Sequence, residues 1–592
     1  MTILAGILSR REGRGVPDSA RADLRRAITR HPSDEVEEFG DGASCLLKVD
    51  VGAYGEPASH RDAAGRVSLL AGEALLSSGE ADAPWRTRTE DLARLHEAWA
   101  GGRWDELRAA DGTFCAAHYD PAARRLSLVA DKLSLRPLYY WVGEEFAVFA
   151  SALRVLEALP LVPKEMDLRA VTEMASIGLP LGTRTPYAGV SLLRAGEVLH
   201  VDGRGVSARR YWRWDEVAPS GRPEAELTRA AYESFTRAVA RRLRGDARAV
   251  AFLSGGLDSR AVAAALFERG VRLHTFNFAP AGTQDQIFGA MFAREVGAAH
   301  EEAPMGPGDP HWSQMMADAY GASTRRRGPA PAARERIIWS GDGGSVGLGH
   351  VYVYEPVVAL LREGRTPEAV EEFLAIHRAA VPRRILSPSV SGALDDVLRA
   401  GVREELDDLH CEDRGRALYL FLMHNDQRRH LARHFEDIDL HRLEFHLPFY
   451  DGDFLASVVR VPVELCLRHK FYMKWLDHFP AVVKSVPWQS YAGHEPCPLP
   501  APPDLATQWE PGPRAAERKR RLLGQAAEML RAPDFPDELL KRNYLSLATW
   551  VYRAGLRDYG YLIQAAQTYH KYSAICGGRH VLPPRPAPAA AG

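Results

Sequence analysis

Short apolar stretches separated by Gly, Pro and Asp turns run through about the first 212 residues of the chain. The first eight residues are mostly apolar and predict a buried strand, while the amphipathic segment 89–99 predicts a helix. Further strands are predicted at residues 44–51, 67–71, 112–118, 126–130 and 145–150. This alternation predicts a mixed α/β sandwich.

From about residue 222 the pattern changes to longer helices alternating with wholly apolar strands. Residues 249–253 form a continuous apolar run, as expected of a parallel strand that is buried on both faces. A glycine-rich turn, a helix at 261–269 and a strand at 271–278 follow, so a βαβ unit with a parallel sheet is predicted. Another apolar strand, 336–340, ends at a second glycine-rich turn.

These changes predict two domains, at residues 1–212 and 213–580, which agrees with a length of 592 residues. Residues 581–592, biased toward Pro and Ala, predict a disordered tail.

Composition and charge exclude several functional classes. A net charge of -2 argues against a nucleic-acid-binding protein dominated by phosphate contacts. No apolar run reaches about 18 residues, so no membrane span is expected. The six scattered cysteines form neither CxxC pairs nor zinc-type spacings, which favours reduced thiols and a cytoplasmic protein.

The strongest motif is Ser254-Gly255-Gly256-Leu257-Asp258-Ser259, which lies between the predicted buried strand and a helix. Backbone N–H groups in such a loop, together with the following helix N-terminus, form an anion site. Asp258 would repel phosphate directly, so a bridging Mg²⁺ is its expected partner. Because no lysine follows the glycines, the loop is not the phosphate loop of kinases and GTPases. It resembles instead the SGGxDS loop of ATP pyrophosphatases.

Several motifs, in the same order along the chain, resemble those of the asparagine synthetase superfamily. Besides the loop, the matching segments are Asp131-Lys132-Leu133-Ser134-Leu135-Arg136-Pro137-Leu138-Tyr139-Tyr140, Phe149-Ala150-Ser151, residues 185–196, Tyr211-Trp212, Ser340-Gly341-Asp342-Gly343-Gly344-Ser345 and Leu447-Pro448-Phe449-Tyr450-Asp451. The resemblance implies an α/β fold with an N-terminal glutaminase-like, Ntn-type sandwich. It also implies a C-terminal ATP-pyrophosphatase domain of the adenine nucleotide alpha hydrolase type, with ATP and Mg²⁺ as cofactors.

By the same resemblance, a set of loop and strand residues is expected to hold the nucleotide, with Asp258 as the metal ligand. The expected nucleotide-binding residues are Leu253, Ser254, Gly255, Gly256, Asp258, Ser259, Phe276, Asp285, Ser340 and Gly341. For Asp285, a helix N-cap is an equally good interpretation.

Two positions depart from the family pattern. Glutamine-dependent members have a nucleophilic cysteine after the initiator methionine, whereas this chain has Thr2. A dead glutaminase site is the simpler interpretation, although an N-terminal threonine is a nucleophile in some unrelated hydrolases. Where the family often has a metal-binding Asp, the second turn has Ser345, a weaker ligand.

The catalytic residues are predicted to be Lys470 and Asp342. Lys470, in a segment that loosely resembles a family motif, would stabilise charge on the reacting carbonyl and phosphate; a surface lysine is the alternative. Asp342 would accept a proton from the attacking amine, or else bind Mg²⁺ or shape the turn. Asp426, on a helix predicted at 418–430, is a weaker candidate.

The leading hypothesis is an AMP-forming carbon–nitrogen ligase without glutaminase activity, similar to the lasso-peptide macrolactam synthetases. It would join an Asp or Glu side chain of a core peptide to that peptide's N-terminal amine. A precursor peptide, a leader peptidase and a precursor-recognition protein would be its partners, without nucleic acid or membrane. The alternatives are a β-lactam synthetase-like or other small-molecule amidoligase, and a catalytically inactive scaffold of a biosynthetic complex.

Overall fold

The computed structural model describes residues 2–77, 85–303, 312–327, 333–507 and 515–583. The chain forms two compact units. The first consists of Met1–Pro160, Leu193–Glu355 and Cys411–Glu510, and the second of Leu161–Leu192, Pro356–His410 and Pro511–Gly592. These units do not separate at the predicted boundary, residue 212, because the N-terminal sandwich and the parallel sheet share the first unit. As a boundary between domains, residue 212 stays a prediction.

The N-terminal part of the first unit is a sandwich of two antiparallel sheets. In spatial order, one sheet contains Tyr139–Val142, Phe146–Ala150, Thr2–Ser9, Ser44–Asp50 and Val36–Gly40. The other contains Val206–Arg210, Glu197–Val201, Arg125–Ala130, Phe114–Asp120, Val67–Gly72 and Ser59–Arg61. The strand predicted at the N-terminus is therefore a central strand of its sheet.

Buried side chains from facing sheets form the core of this sandwich. Leu4, Leu8 and Leu46 from one sheet pack with Leu69 and Leu128 from the other. The helix Arg88–Ala100 covers the outer face of the second sheet, and Asp18–Ile28 and Leu153–Ala158 pack beside the first. The resulting helix–sheet–sheet–helix layering confirms the predicted Ntn-type α/β sandwich.

The rest of the first unit is built around a five-stranded sheet in which every pairing is parallel. Its spatial order is Ala299–Glu302, Arg272–Asn277, Arg248–Phe252, Ile337–Trp339 and Glu444–His446. The chain moves outward from the central strand in one direction, then returns and continues on the other side. This order confirms the predicted parallel sheet and creates a switch point between Arg248–Phe252 and Ile337–Trp339.

Helices surround the parallel sheet because its strands are apolar on both faces. They are Glu224–Leu243, Leu257–Phe267, Gln284–Glu295, Trp312–Arg327, Arg416–Leu422, Arg428–Glu436, Ile438–His441, Gly452–Val459, Val463–Cys466 and Lys470–Leu476. The single helix predicted at 418–430 is interrupted by a π-helical turn, Met423–Gln427. The helix predicted at 261–269 begins earlier, directly after Gly256.

The second unit is mainly helical. Its helices, in chain order, are Leu168–Ile177, Thr366–Ile376, Pro388–Leu394, Val397–Asp407, Ala515–Arg531, Arg542–Arg553 and Gly560–Ile575. Most of the helix Glu355–Arg362 also belongs to this unit. Tyr569 donates a hydrogen bond to the Thr172 hydroxyl, 2.8 Å away, which joins the last helix to the first.

The predicted disordered tail, 581–592, begins too early. Val581 pairs in parallel with Asp167, and His580 pairs with Met166, so this part of the tail is a short strand. Residues 584–592 lie outside the described residues. Among the helices described, none has the length and apolar character needed to cross a bilayer.

Candidate active site

Two loops meet at the switch point of the parallel sheet. The first, residues 253–259, follows Arg248–Phe252, and the second, residues 340–345, follows Ile337–Trp339. Both lie at the carboxyl ends of adjacent strands, where open α/β sheets bind their ligands. The structure therefore brings together the two glycine-rich motifs that the sequence separates by about eighty residues.

Serine hydroxyl groups hold the first loop in its shape. The Ser254 backbone N–H donates to Ser259 Oγ at 2.9 Å, and the two serine hydroxyls are 2.9 Å apart. The Gly256 N–H donates to Ser254 Oγ at 3.2 Å. Gly256 is the N-cap of the eleven-residue helix Leu257–Phe267, and no side chain caps this N-terminus. The first turn of that helix thus presents backbone donors that the helix itself cannot satisfy.

The glycines of the loops serve two different purposes. A Cβ on Gly255 would lie 2.6 Å from the Gln284 carbonyl oxygen, and one on Gly341 would lie 2.3 Å from the Ser259 nitrogen. These two glycines are therefore required by close packing of backbone against backbone. A Cβ on Gly256 would have only Ser254 Oγ, 3.5 Å away, as a neighbour. Gly256 consequently faces open space in which an anion can approach the backbone.

Asp285 lies against the first loop instead of capping its own helix. The N-cap of Gln284–Glu295 is Thr283, so the N-cap interpretation of Asp285 is wrong. Its Oδ1 accepts the Gly255 N–H at 2.7 Å, and burial raises its pKa. The Asp285 carboxylate thus shapes the loop. It accepts the hydrogen bond of the Gly255 N–H, a group that the sequence analysis had expected to bind phosphate.

Leu253 and Phe276 belong to the framework beneath the loop. The Leu253 N–H donates to the Phe276 carbonyl at 3.0 Å, and both side chains are buried. Asn277, which the sequence did not single out, donates from Nδ2 to the Leu253 carbonyl at 2.8 Å and to the Asp285 carbonyl at 3.2 Å. The sequence signal that could have identified Asn277 is a polar amide residue at the end of an otherwise apolar predicted strand.

Asp258 receives three hydrogen bonds. Its Oδ2 accepts the Ser345 N–H at 2.9 Å and the Ser345 hydroxyl at 2.8 Å, and its Oδ1 accepts the Tyr472 hydroxyl at 2.6 Å. Burial raises the pKa of Asp258, although these hydrogen bonds act in the opposite direction. Ser345 therefore contacts the predicted metal ligand, and Tyr472 is a site residue that sequence reasoning missed.

Asp342 lies in the second loop, where Ser340 Oγ donates to its Oδ2 at 2.8 Å. Burial raises its pKa, opposed by the charge of His430 and the Ser340 hydrogen bond. A carboxylate with a raised pKa is better matched to proton transfer near neutral pH. The charge of Asp342 also contributes, after burial, to the raised pKa of Tyr450, so these two groups are neighbours.

The π-helical turn Met423–Gln427 brings a polar chain to the same region. Tyr450 donates to Gln427 Oε1 at 2.7 Å, and Gln427 Nε2 donates to Asp426 Oδ2 at 2.6 Å. Single π-turns within α-helices frequently mark functional sites. Asp426, the weaker candidate base, is thus connected to Tyr450 beside Asp342.

Among the described residues, Lys470 takes no part in the hydrogen bonds of the two loops. It is the exposed first residue of Lys470–Leu476, and within the described chain no hydrogen bond or ion pair joins it to either loop. The neighbouring Lys474 pairs with Glu224. Arg468 and His469 have φ values of 56° and 63°, a left-handed turn that sets the direction of this helix. Tyr472, two residues after Lys470, is the side chain of this helix that reaches Asp258.

A buried hydrogen-bond network holds Thr2, the residue that follows Met1. Thr2 is fully buried, donates to Asp50 Oδ2 at 2.9 Å and accepts from Arg88 Nη2 at 2.7 Å. Arg88, also fully buried, donates to the carbonyls of Gly72 and Leu70 at 2.8 and 3.2 Å. Burial favours a higher pKa for Asp50, but the Arg88 charge and further donors outweigh it and lower the pKa.

A divalent cation would need ligands beyond the protein. Among the described residues, no group of three or more His, Cys, Asp and Glu side chains is arranged to hold a metal. Mg²⁺ in nucleotide sites is commonly held by one or two carboxylates together with phosphate oxygens and water. Asp258 and Asp342 fit that arrangement, because they lie in the two loops that meet at the switch point, and the charge of Asp342 adds to the effect of burial in raising the pKa of Asp258.

Comparison with known proteins covers both regions. The glutamine amidotransferase domain model matches residues 76–212, and the asparagine synthase model matches residues 230–318. Asparagine synthetase [glutamine-hydrolyzing] 3 of Bacillus subtilis is 26% identical over 245 residues, which are 40% of this chain and 37% of that protein. A putative asparagine synthetase of Methanocaldococcus jannaschii is 27% identical over 208 residues, 34% of this chain and 39% of that protein. The matches thus span about two fifths of these relatives.

Among solved structures, glutamine phosphoribosylpyrophosphate amidotransferase from B. subtilis matches 57% of this chain and 74% of that chain, with 12% identity and a TM-score of 0.24. Nothing further is inferred from so low a score. The chain thus carries a segment similar to glutamine amidotransferase domains followed by one similar to asparagine synthases, and asparagine synthetases are among its relatives.

Proposed function

We propose that this protein is an ATP-dependent carbon–nitrogen ligase that activates a carboxylate as its acyl-adenylate. The observation that carries the proposal is the open face of Gly256, which lies at an uncapped helix N-terminus beside the partly buried carboxylate of Asp258. Such a site suits a diphosphate with an accompanying cation. Its place at the switch point of the sheet supports the same function.

In the first step, a carboxylate oxygen of the substrate attacks the α-phosphorus of ATP, and diphosphate leaves. The backbone around Gly256, with the hydroxyls of Ser254 and Ser259, would hold that leaving group. Asp258 would hold Mg²⁺, whose charge offsets that of the phosphates when it is bound. This step depends mainly on positioning and charge neutralisation.

In the second step, an amine attacks the activated carbonyl and AMP leaves. Asp342 is the proposed acceptor of the amine's proton, because burial raises its pKa and it lies in the loop facing Asp258. Lys470 remains the proposed stabiliser of the developing negative charge. Its support is the family resemblance of its segment, and the structure leaves its side chain exposed.

The source of the amine follows from the N-terminal sandwich. In place of a cysteine thiol the chain has the Thr2 hydroxyl, which donates to Asp50 and accepts from Arg88 in a buried network. This arrangement supports a protein that does not release ammonia from glutamine. The amine would then come from the substrate, as in the lasso-peptide macrolactam synthetases.

The narrower proposal is a macrolactam synthetase that joins an Asp or Glu side chain of a core peptide to its N-terminal amine. A precursor peptide, a leader peptidase and a precursor-recognition protein would be its partners. A β-lactam synthetase-like enzyme would use the same first step on a small molecule. Peptide-dependent AMP formation supports the first enzyme, and AMP formation with a carboxyethyl-amino acid supports the second.

The test of the main proposal is the fate of ATP. With its substrate, the purified protein should convert ATP to AMP and pyrophosphate. Nucleotide chromatography and a pyrophosphate assay measure these products. Glutamine added to the reaction should stay intact. Formation of ADP in place of AMP would contradict an acyl-adenylate mechanism.

An inactive scaffold is the second candidate, and two observations favour it. The Asp258 carboxylate already accepts three hydrogen bonds, and Lys470 is exposed. A scaffold should bind no ATP in calorimetry and consume none with any candidate substrate and partner protein. Measurable ATP binding that requires Asp258 would exclude this candidate.

A further inference from the structure

The environment of Asp258 is unusually rich in hydroxyl groups. Tyr472 and Ser345 donate to its two oxygens, and a hydrogen bond between Ser345 and Tyr491 extends this shell outward. In the family, the position of Ser345 often carries a carboxylate, so this chain has exchanged a negative charge for a donor. The role of these donors toward a cation is a question that the proposed function leaves open.

The two carboxylate oxygens of Asp258 accept different numbers of hydrogen bonds. A carboxylate has about four lone-pair sites, two on each oxygen. Oδ2 accepts two hydrogen bonds, both from Ser345, whereas Oδ1 accepts one, from Tyr472. Oδ1 therefore keeps one acceptor site, and a cation that binds Asp258 without displacing a donor must bind there.

Tyr472 is well fixed for this purpose. Its side chain is fully buried and stacks on Trp475, with ring centroids 5.6 Å apart. The second loop also lies against the carboxylate, because a Cβ on Gly344 would lie 2.5 Å from Asp258 Cγ and 2.6 Å from Oδ1. The carboxylate thus has little freedom to rotate.

We propose that Tyr472 is a positioning residue that orients Asp258 to bind a divalent cation through Oδ1 alone. Groups that hydrogen-bond a metal ligand fix its orientation, and their loss typically weakens metal binding about 10- to 100-fold. The inference rests on the proposed function, since it concerns the cation that accompanies the nucleotide. It gives the helix that begins at Lys470 a role at the metal ligand, separate from the charge stabilisation proposed for the lysine.

The experiment is a titration with Mn²⁺ in the presence of ATP, with free Mn²⁺ measured by electron paramagnetic resonance. Tyr472→Phe removes only the donor to Oδ1 and should weaken Mn²⁺ binding about tenfold or more. Tyr569→Phe, which removes a comparably buried hydroxyl that bonds Thr172 within the second unit, should bind Mn²⁺ as the unmodified protein does. Thermal unfolding without metal reports whether each variant is folded.

Ser345→Ala provides a second variant should Tyr472→Phe fail to fold. It removes the hydroxyl donor to Oδ2 but keeps the backbone N–H donor, and it should weaken Mn²⁺ binding relative to the unmodified protein. Unchanged Mn²⁺ affinity in folded variants at both positions would overturn the positioning role while leaving the proposed function intact. Failure of the unmodified protein to bind either ATP or Mn²⁺ would instead overturn the proposed function itself.

Discussion

Single residues decide what each half of the molecule can do. Asp258 connects the first loop to the second through Ser345 and to a neighbouring helix through Tyr472. Thr2 follows Met1, the position at which the sequence analysis looked for a nucleophile. Its hydroxyl donates a hydrogen bond to Asp50 and accepts one from Arg88. The sequence identified Asp258 and Thr2 from motifs, but a buried tyrosine or arginine without a motif could not be distinguished from core or surface.

Replacing Asp258 by alanine should abolish conversion of ATP to AMP and pyrophosphate. The change removes the carboxylate that would hold the cation, and a loss of roughly 100-fold or more is expected for a preorganised charge of this kind. Pyrophosphate release in single-turnover reactions measures the effect. Turnover at the normal rate would remove Asp258 from the mechanism.

Replacing Arg88 by methionine should destabilise the protein strongly. Asp50 would remain buried without its main partner, and breaking such a pair costs about 3–5 kcal/mol. Urea unfolding, monitored by circular dichroism, measures the difference.

Thr2→Ala leaves Arg88 and Asp50 paired, so it should have a much smaller effect on stability and almost none on ATP turnover. A large loss of ligase activity in Thr2→Ala would reopen the question of a threonine nucleophile.

At the scale of elements, hydrophobic pattern predicts the framework well and the site less well. The apolar run 249–253 is observed as the strand Arg248–Phe252, one residue earlier. The following helix starts four residues sooner than predicted, because Gly256 caps it and the polar residues 258–260 lie in its first turn. The π-helical turn at Met423–Gln427 has no signature in the hydrophobic pattern, so a continuous helix was predicted there.

The second loop offers a matched pair of glycines. Alanine at position 344 would place its Cβ 2.5 Å from Asp258 Cγ and displace the carboxylate, at a cost of about 1–3 kcal/mol. Alanine at position 347, in the same π-helical turn, would lie 3.7 Å from Leu455 Cδ2, an ordinary contact. We expect Gly344→Ala to lose Mn²⁺ binding and Gly347→Ala to retain it. Equal binding by both variants would show that the loop is more adaptable than this packing implies.

For the molecule as a whole, long-range contacts organise the chain in a way that local patterns do not indicate. Asp451, in the segment that resembles the family's motif, pairs in the core with Arg241 and Arg242 from a helix two hundred residues earlier. The two compact units are each assembled from three distant segments. Periodicity identified the sandwich and the parallel sheet, but it carries no information about which distant segments pack together.

Stability should fall in mild acid because histidines are buried in the neutral form. Ser68 Oγ lies 2.8 Å from Nδ1 of both His96 and His118, and burial lowers the pKa of His118 to about 4. Below the ordinary value of about 6.5 the unfolded chain binds a proton that the folded chain excludes. The contribution of neutral His118 to the free energy of unfolding is therefore fully present above pH 6.5. It is lost as the pH falls toward 4, which lowers the free energy of unfolding by roughly 3 kcal/mol from His118 alone.

Urea unfolding at pH 7 and pH 5 measures this loss. His118→Asn keeps a polar group toward Ser68 but cannot titrate, so the stability of this variant should depend less on pH. An equally steep dependence in that variant would assign the effect to other groups, of which His96 is the nearest.

The composition of the second unit has a consequence for how the protein is made. Its helix Leu168–Ile177 finds its partner, Tyr569, only 397 residues later. At about 5–20 residues per second, a ribosome would need roughly 20–80 s to supply that partner. Until then, the part of this helix that packs against Gly560–Ile575 stays uncovered, so the nascent chain should depend on chaperones more than the finished protein does.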